Sequence, residues 1–450
     1  MSTIEAGGTP LSEAEHSRQL RRAVVAGTVG TVIEAYDFLL YVQIAPLVFA
    51  KLYFPHSDPL VGTLEAFAIY AGGFVARPVG AAIFGHYGDR IGRKVTLITT
   101  LLLTGLSTFA VGFVPGYAAI GIWGAVILTI VRFIQGIGIG GEWGGATLIA
   151  MEWARTNAHR GFITSWPQWG GPAGLFVSNL VVLAFSAISG DQFLVWGWRI
   201  PFFLSIIMVG IGLYIRLGIL ETPVFSRIVE QKQVERAPSL EVIKRYPKQV
   251  ILTALCRMAE QGPFYVYAAF VFTYGIRVLG ASRNMLLTAL LAATALSAIT
   301  IPLAGHISDR IGRKRMYLIG AVTTGVFAFI YFAMMNTMIT GVIFIAIVLS
   351  FIPHDMMYGP QAALIAECFP PRLRYSGSSL GFHLSSVVAG GPAPIIATAL
   401  FAAYGSGYAV ALYILFCAIV SVSATAFLPD YTNRDISYAA AEDQRATALR

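Results

Sequence analysis

Charge is what this chain has least of. Only 12% of its 450 residues are Asp, Glu, Lys or Arg and 56% are hydrophobic, whereas a soluble domain carries roughly 25% charged residues. That much apolar surface finds cover only in a bilayer, so the length is read as spans of about 20 residues and not as two or three soluble domains. Cysteine is nearly as scarce. Cys256, Cys368 and Cys417 are scattered, without paired or metal-ligand spacing, which argues against a disulfide framework or a metal site and leaves them as small apolar packers. Met1–Ser17 is polar and acidic, without the basic-then-apolar layout of a cleaved signal, so the first apolar run is expected to persist as a span. No nucleophile–base constellation stands out, so neither an enzyme nor a cofactor is expected.

What the chain has instead is a repeat. GHYGDRIGRK at Gly85–Lys94 returns as GHISDRIGRK at Gly305–Lys314, about half the chain later, and each copy lies between long apolar runs. Duplicated halves of this kind mark a transporter that rocks around a central site. Apolar runs between charged or turn-rich breaks predict twelve helices, near 22–50, 62–86, 95–113, 118–150, 158–187, 197–219, 249–277, 284–305, 315–335, 338–366, 375–403 and 407–428. The expected fold is therefore an all-α membrane protein of two pseudo-symmetric six-helix bundles. Residues 1–220 form the first bundle, 221–248 a charged amphipathic linker, 249–430 the second bundle and 431–450 a short tail without coiled-coil heptads.

Twenty-four of the 31 Lys and Arg residues fall on the side that holds both termini, four on the other side, and Arg77, Arg132 and Arg257 lie inside spans. The positive-inside bias places both termini in the cytoplasm. The net charge of +8 is then a topology signal, and no nucleic-acid partner is needed to explain it. A cytoplasmic gate is expected from the repeat. Asp89 and Asp309 can cap a helix start and meet nearby arginines. Around them stand Arg90, Arg93, Arg310 and Arg313, the matched sets Glu152 with Arg160 and Glu367 with Arg374, and Glu221 at the start of the linker. These residues either latch the protein in its outward-facing state or simply anchor its topology.

Charges at membrane depth cost at least about 2.5 kcal/mol each on insertion scales and so need a partner or a role. Glu34, Asp37 and Tyr41 share a face of the first helix by their spacing. Asp37 lies roughly 22 Å from the cytoplasmic start of that helix and Arg132 roughly 21 Å from the outer end of the fourth, so the two are expected to pair. The pair is the leading candidate for proton coupling, with a permanent structural bridge as the alternative. Gln135 follows Arg132 on the same face and can bind substrate. Glu142 either pairs with Arg77 or takes a proton. Gly136, Gly138 and Gly141 match G-x-G-x-x-G without a preceding strand, so helix packing explains them better than a dinucleotide. In the second half, Arg257 is either a carboxylate dock or a snorkelling anchor, and Gln261 and Tyr265 face the pocket beside a Gly262-Pro263 break. His354 sits in a kinked polar patch, as a proton carrier or a hydrogen-bonded structural residue. His383 and Gln168 are further wall candidates.

EAYDFLLY at Glu34–Tyr41, ARPVG at Ala76–Gly80, RFIQGIGIGGEWGG at Arg132–Gly145, HRG at His159–Gly161, ETPVF at Glu221–Phe225 and RYSG at Arg374–Gly377, together with the duplicated loop, run in the order and over the extent seen in one family. The chain resembles the major facilitator superfamily and, within it, the metabolite:proton symporters. The resemblance implies a two-bundle, twelve-helix fold and proton-coupled uptake of a small organic solute across the inner membrane. Family members often carry Trp where Ala35 stands, which enlarges the pocket. Asp37 resembles the helix-1 acid that pairs with a helix-4 arginine in sugar porters. The family handles citrate, oxoglutarate, shikimate, aromatic acids, proline and betaine, and the buried arginines favour an organic anion. The partners expected are that anion, protons from the gradient and the lipid bilayer, around a monomer. The alternatives are an osmolyte carrier for proline or betaine and, less favoured by these motifs, a drug-efflux antiporter.

Overall fold

The computed structural model of the chain describes residues 12–154, 159–231 and 234–434. Both ends, and with them most of the expected tail, lie outside the described residues. Eleven helices are long and apolar enough to cross a bilayer. The first six are α1 Glu13–Ile44, α2 Val61–Arg90, α3 Arg93–Val111, α4 Trp123–Glu152, α5 Arg160–Leu194 and α6 Arg199–Leu217. Two short helices, Pro223–Glu230 and Pro238–Arg245, then occupy the linker. The next segment, α7, is helical in pieces: Pro247–Cys256, Met258–Tyr265, a π turn at Val266–Phe270, and Val271–Arg277. The remaining five are α8 Arg283–Ile311, α9 Arg313–Met335, α10 Thr340–Ala366, α11 Pro371–Tyr404 and α12 Gly407–Phe427. There is no strand among the described residues.

Two departures from the sequence reading have local causes. The first helix begins at Glu13 and not near residue 22, because Ser12 Oγ accepts the Glu15 amide (3.2 Å) and starts a helix in polar sequence. The expected seventh helix is interrupted, and Pro263, which lacks an amide hydrogen, lies within its middle piece. Further π turns follow α1 at Ala45–Phe49 and fall within α11 at Ser386–Gly390.

The duplicated loop is a backbone device. Gly92 and Gly312, the N-caps of α3 and α9, have φ of 114° and 105°, a region closed to L side chains and open to glycine. The first glycine of each copy does something else. A Cβ on Gly85 would lie 2.8 Å from Ser376 Cα in α11, and one on Gly305 would lie 2.7 Å from the Gly161 carbonyl in α5. The repeat thus brings α2 against α11 and α8 against α5, the seams along which the two halves of the chain meet. The glycine-rich run of α4 serves packing too: Gly136 and Gly140 abut the α2 backbone at Gly73 and Arg77, where a side chain would collide.

Candidate functional site

A cavity lies between the halves, lined from α1, α2, α4 and α5 on one side and from α7, α10 and α11 on the other. Its charged lining is Glu34, Arg77, Arg257 and Glu260, with His354 beside them, and its walls include Phe38, Trp143, Phe264, Tyr265, Tyr358 and Phe382. Below it, towards the face that carries the duplicated loops, Trp143 and Phe382 stack across the halves with ring centroids 3.7 Å apart. Towards the opposite face, Tyr265 meets Phe74 at 5.1 Å and Tyr70 at 6.1 Å, and further out Arg277 Nη2 donates to Thr63 Oγ1 (3.3 Å). The halves therefore touch on both sides of the cavity.

The expected pair in the first half is not formed. Arg132 donates to Gln135, and its guanidinium lies 4.2 Å from the Tyr41 ring and 4.6 Å from the Phe38 ring. No ion pair joins it to Asp37 among the described residues. Asp37 points the other way, towards Gly105 and Thr108 of α3, fully buried and with both carboxylate oxygens lacking a hydrogen-bond partner. The neighbouring Thr108 hydroxyl is committed to the Thr104 carbonyl (3.0 Å) and takes the Gln135 amide (2.6 Å). Residues three apart in a helix differ by about 60° in direction, enough to put Glu34 in the cavity wall and Asp37 behind it. Arg132, Gln135 and Tyr41, which the sequence also offers as substrate contacts, lie outside the lining. Arg77 stands in the lining.

Glu142 pairs with Arg216 of α6 and not with Arg77; Thr100 Oγ1 also donates to Glu142 (2.7 Å). Arg216 is 1% exposed, although by sequence it counts among the basic residues of the terminal-bearing side. Its place after a long apolar run and before a charge-rich linker concealed it.

In the second half Arg257 is no snorkelling anchor. It is buried, donates to Glu260 (2.9 Å), to Gln361 (3.3 Å) and to the Phe382 carbonyl. Glu260 accepts from Gln361 (3.1 Å) and lies 3.6 Å from His354 Nε2, while His354 Nδ1 is 2.9 Å from Asp355. The Pro353 kink region thus holds a hydrogen-bonded histidine. Gln261 donates to Ser386 (2.9 Å) and lines the cavity with Tyr265. Gln168 is set back from the lining and links the halves: it accepts from Trp143 (2.7 Å) and donates to the Tyr358 carbonyl (3.2 Å). His383 is buried behind Phe382 with neither ring nitrogen hydrogen-bonded, outside the lining where the sequence placed it.

At the loop face the two aspartates do cap helices, each in the other half. Asp89 accepts from the Ser376 amide (2.9 Å) and hydroxyl (2.9 Å) and from the Tyr375 amide (3.4 Å) at the start of α11. Asp309 accepts from the Gly161 and Phe162 amides, both at 2.9 Å, at the start of α5. Arg93 reaches Asp89 (3.4 Å) and Glu152 (3.3 Å); Arg313 reaches Asp309 and Glu367, both at 3.0 Å. The symmetry then fails. Glu367 also takes Arg160 across the seam (2.9 Å), whereas Arg374, the counterpart of Arg160, donates Nε to its own Phe369 carbonyl (3.1 Å) and leaves Nη2 unpartnered. Glu152 accepts instead from the hydroxyl of Thr222, at the start of the linker. Burial pushes the Glu367 carboxyl above the usual carboxylate range against the pull of Arg313 and Arg160. Glu221 accepts from the Lys94 amide (3.2 Å) within the first half. Arg90 and Arg310 are exposed and form no ion pair among the described residues, a correction to their expected place in the gate: the helix phase that buries Asp89 and Asp309 turns the next residue outward.

Asp309→Asn tests the caps. It removes the charge from two backbone hydrogen bonds and from the Arg313 pair, and charged hydrogen bonds are worth about 1.5–3 kcal/mol each. Thiol labelling of a Ser308→Cys reporter in that background is expected to accelerate by about tenfold or more. An unchanged rate would reduce Asp309 to a static support.

Two helical halves that clasp a central cavity, with matched charge clusters closing one face, define a secondary transporter. The comparisons agree. Residues 23–248 match the Sugar (and other) transporter family and residues 265–448 the Major Facilitator Superfamily. The inner membrane metabolite transport protein YhjE of Escherichia coli is 38% identical over 87% of this chain and 90% of its own length. The shikimate transporter of the same organism is 37% identical over 91% and 94%. Among solved structures, the proton:xylose symporter XylE of E. coli, bound to 6-bromo-6-deoxy-D-glucose, superposes with a TM-score of 0.76 at 18% identity, covering 95% of this chain and 99% of that one. The chain belongs to the major facilitator superfamily, as a membrane-spanning transporter.

Proposed function

We propose that this protein is a proton-coupled symporter that brings a small organic acid across the inner membrane by alternating access. On this reading α7 counts as a twelfth span, both termini are cytoplasmic, the loop face is the cytoplasmic gate, and residues 1–220 and 249–430 move as two bundles about the 221–248 linker. The proton gradient supplies the energy and no cofactor takes part. The observation that carries the proposal is Asp37: a carboxyl at mid-helix, fully buried, with no hydrogen-bond partner on either oxygen. An ionised carboxylate so placed is costly, and neutralising it with a proton removes the cost. Arg132, turned aside onto Gln135, is the cation that can receive the carboxylate once the proton leaves. The wild-type protein in liposomes is the test. Uptake of labelled shikimate or another small acid under an inward proton gradient should exceed equilibration and collapse with a protonophore. Accumulation indifferent to the protonophore would remove proton coupling.

A second reading, uptake of a zwitterion, is favoured by one feature: the cavity holds two acids, Glu34 and Glu260, beside its two arginines. Proline or betaine in the same assay distinguishes it.

A further inference from the structure

Of the two arginines in the cavity, one is claimed and one is not. Arg257 is held by Glu260, Gln361 and a backbone carbonyl. Arg77 has no such company. Its guanidinium carbon lies 4.0 Å from the centroid of Phe38 and 4.3 Å from that of Phe74. It is 5% exposed, its Nε has no hydrogen-bond partner, and no carboxylate lies within ion-pair distance of it among the described residues. Both rings crowd one side of the guanidinium, their centroids 4.9 Å apart, and neither offers an acceptor to its N–H groups. A carboxylate is the group that takes two of those in parallel, and a buried guanidinium without one is poorly satisfied.

Two acceptors share the same lining. Glu34 is half-buried in α1 without an ion-pair partner, and its Oε2 has no donor. Gln261, across the cavity in α7, uses its Nε2 on Ser386 and leaves Oε1 unpartnered. A ligand that covered these oxygens with methyl groups would leave them unsatisfied, the situation in which a polar site discriminates most strongly.

We propose that Arg77 docks the carboxylate of the transported solute and that Glu34, with Gln261 opposite, accepts hydrogen bonds from hydroxyl or amine donors on the same molecule. The cargo is then a small hydroxy or amino acid, and a fully methylated betaine is rejected. The inference rests on the symport reading only in calling the ligand cargo, because binding is measurable without a gradient.

Calorimetry on the purified full chain in detergent, with shikimate, methyl shikimate, L-proline and glycine betaine as probes, is the test. Shikimate or proline is expected to bind and glycine betaine to bind more weakly than either. If shikimate is the ligand, its methyl ester should lose roughly tenfold or more in affinity, as should the acid with Arg77→Gln, and Arg77→Lys should recover part of the loss. Glu34→Ala should weaken the donor-bearing probes several-fold. Arg77→Lys keeps the test decisive if the glutamine variant elutes as aggregate. Wild-type affinity in both Arg77 variants, glycine betaine as the tightest ligand, or no binding by either acid would overturn the proposal. Wild-type affinity in those variants with protonophore-sensitive uptake would remove the docking role and leave symport standing. Lost affinity with uptake indifferent to the gradient would do the reverse.

Discussion

Liposomes carrying Asp37→Asn are expected to equilibrate substrate and to exchange labelled for unlabelled substrate, but not to accumulate it. The asparagine side chain fits where the carboxyl sits, because neither oxygen of Asp37 holds a partner that an amide would lose. It cannot carry a proton. One unit of pH difference is worth about 1.4 kcal/mol per proton, so a one-to-one symporter concentrates its cargo about tenfold on that gradient, and the variant should reach a ratio near one. Tracer uptake with and without the gradient, beside counterflow, separates the two behaviours. Full accumulation by the variant would move the proton site elsewhere, with Glu34 the next carboxyl to replace.

The second large effect concerns stability. Arg216 and Glu142 are 1% and 2% exposed, and apart from Arg216 the carboxylate has the Thr100 hydroxyl. Removing one member of a buried pair leaves an uncompensated charge and typically costs about 3–5 kcal/mol. Arg216→Ala should therefore lower the apparent melting temperature sharply, read by size-exclusion after heating. The double variant Arg216→Met with Glu142→Leu should regain much of the loss, since apolar pairs of similar volume often replace buried ion pairs at little cost. A single variant as stable as the wild type would mean that Glu142 is already neutral, and would restore it as a candidate proton carrier.

Much of the architecture was legible because the bilayer simplifies the reading: apolar runs between charged loops give spans, and the duplicated loop pairs the halves. The caps of Asp89 and Asp309 followed from residue type. That each caps the opposite half did not, since no local pattern names a partner so distant in sequence. Depth along a helix is readable from rise per residue, but facing is less so. Asp37 and Arg132 stand at similar depth, and a rotation of about 60° between Glu34 and Asp37 decides which acid sees the cavity. Arg77 was visible as an intramembrane charge; its rings at Phe38 and Phe74 come from two helices, and only packing reveals that it stands unclaimed. Arg216 was misplaced because a cation at a span's end reads the same whether it snorkels to water or turns inward.

The contacts on both sides of the cavity bear on the energy supply of the cell. Trp143 and Phe382 stack below and Tyr265 meets Phe74 and Tyr70 above, and on the proposed reading these contacts narrow the way from Asp37 to either compartment. A carrier that idles in this state behaves as an insulator, and a cell can hold many copies without short-circuiting its membrane. Substitutions that shrink Trp143 or Phe382 should then show as a futile proton leak: faster collapse of an imposed pH gradient in substrate-free liposomes, and a growth penalty that scales with expression even where the cargo is absent.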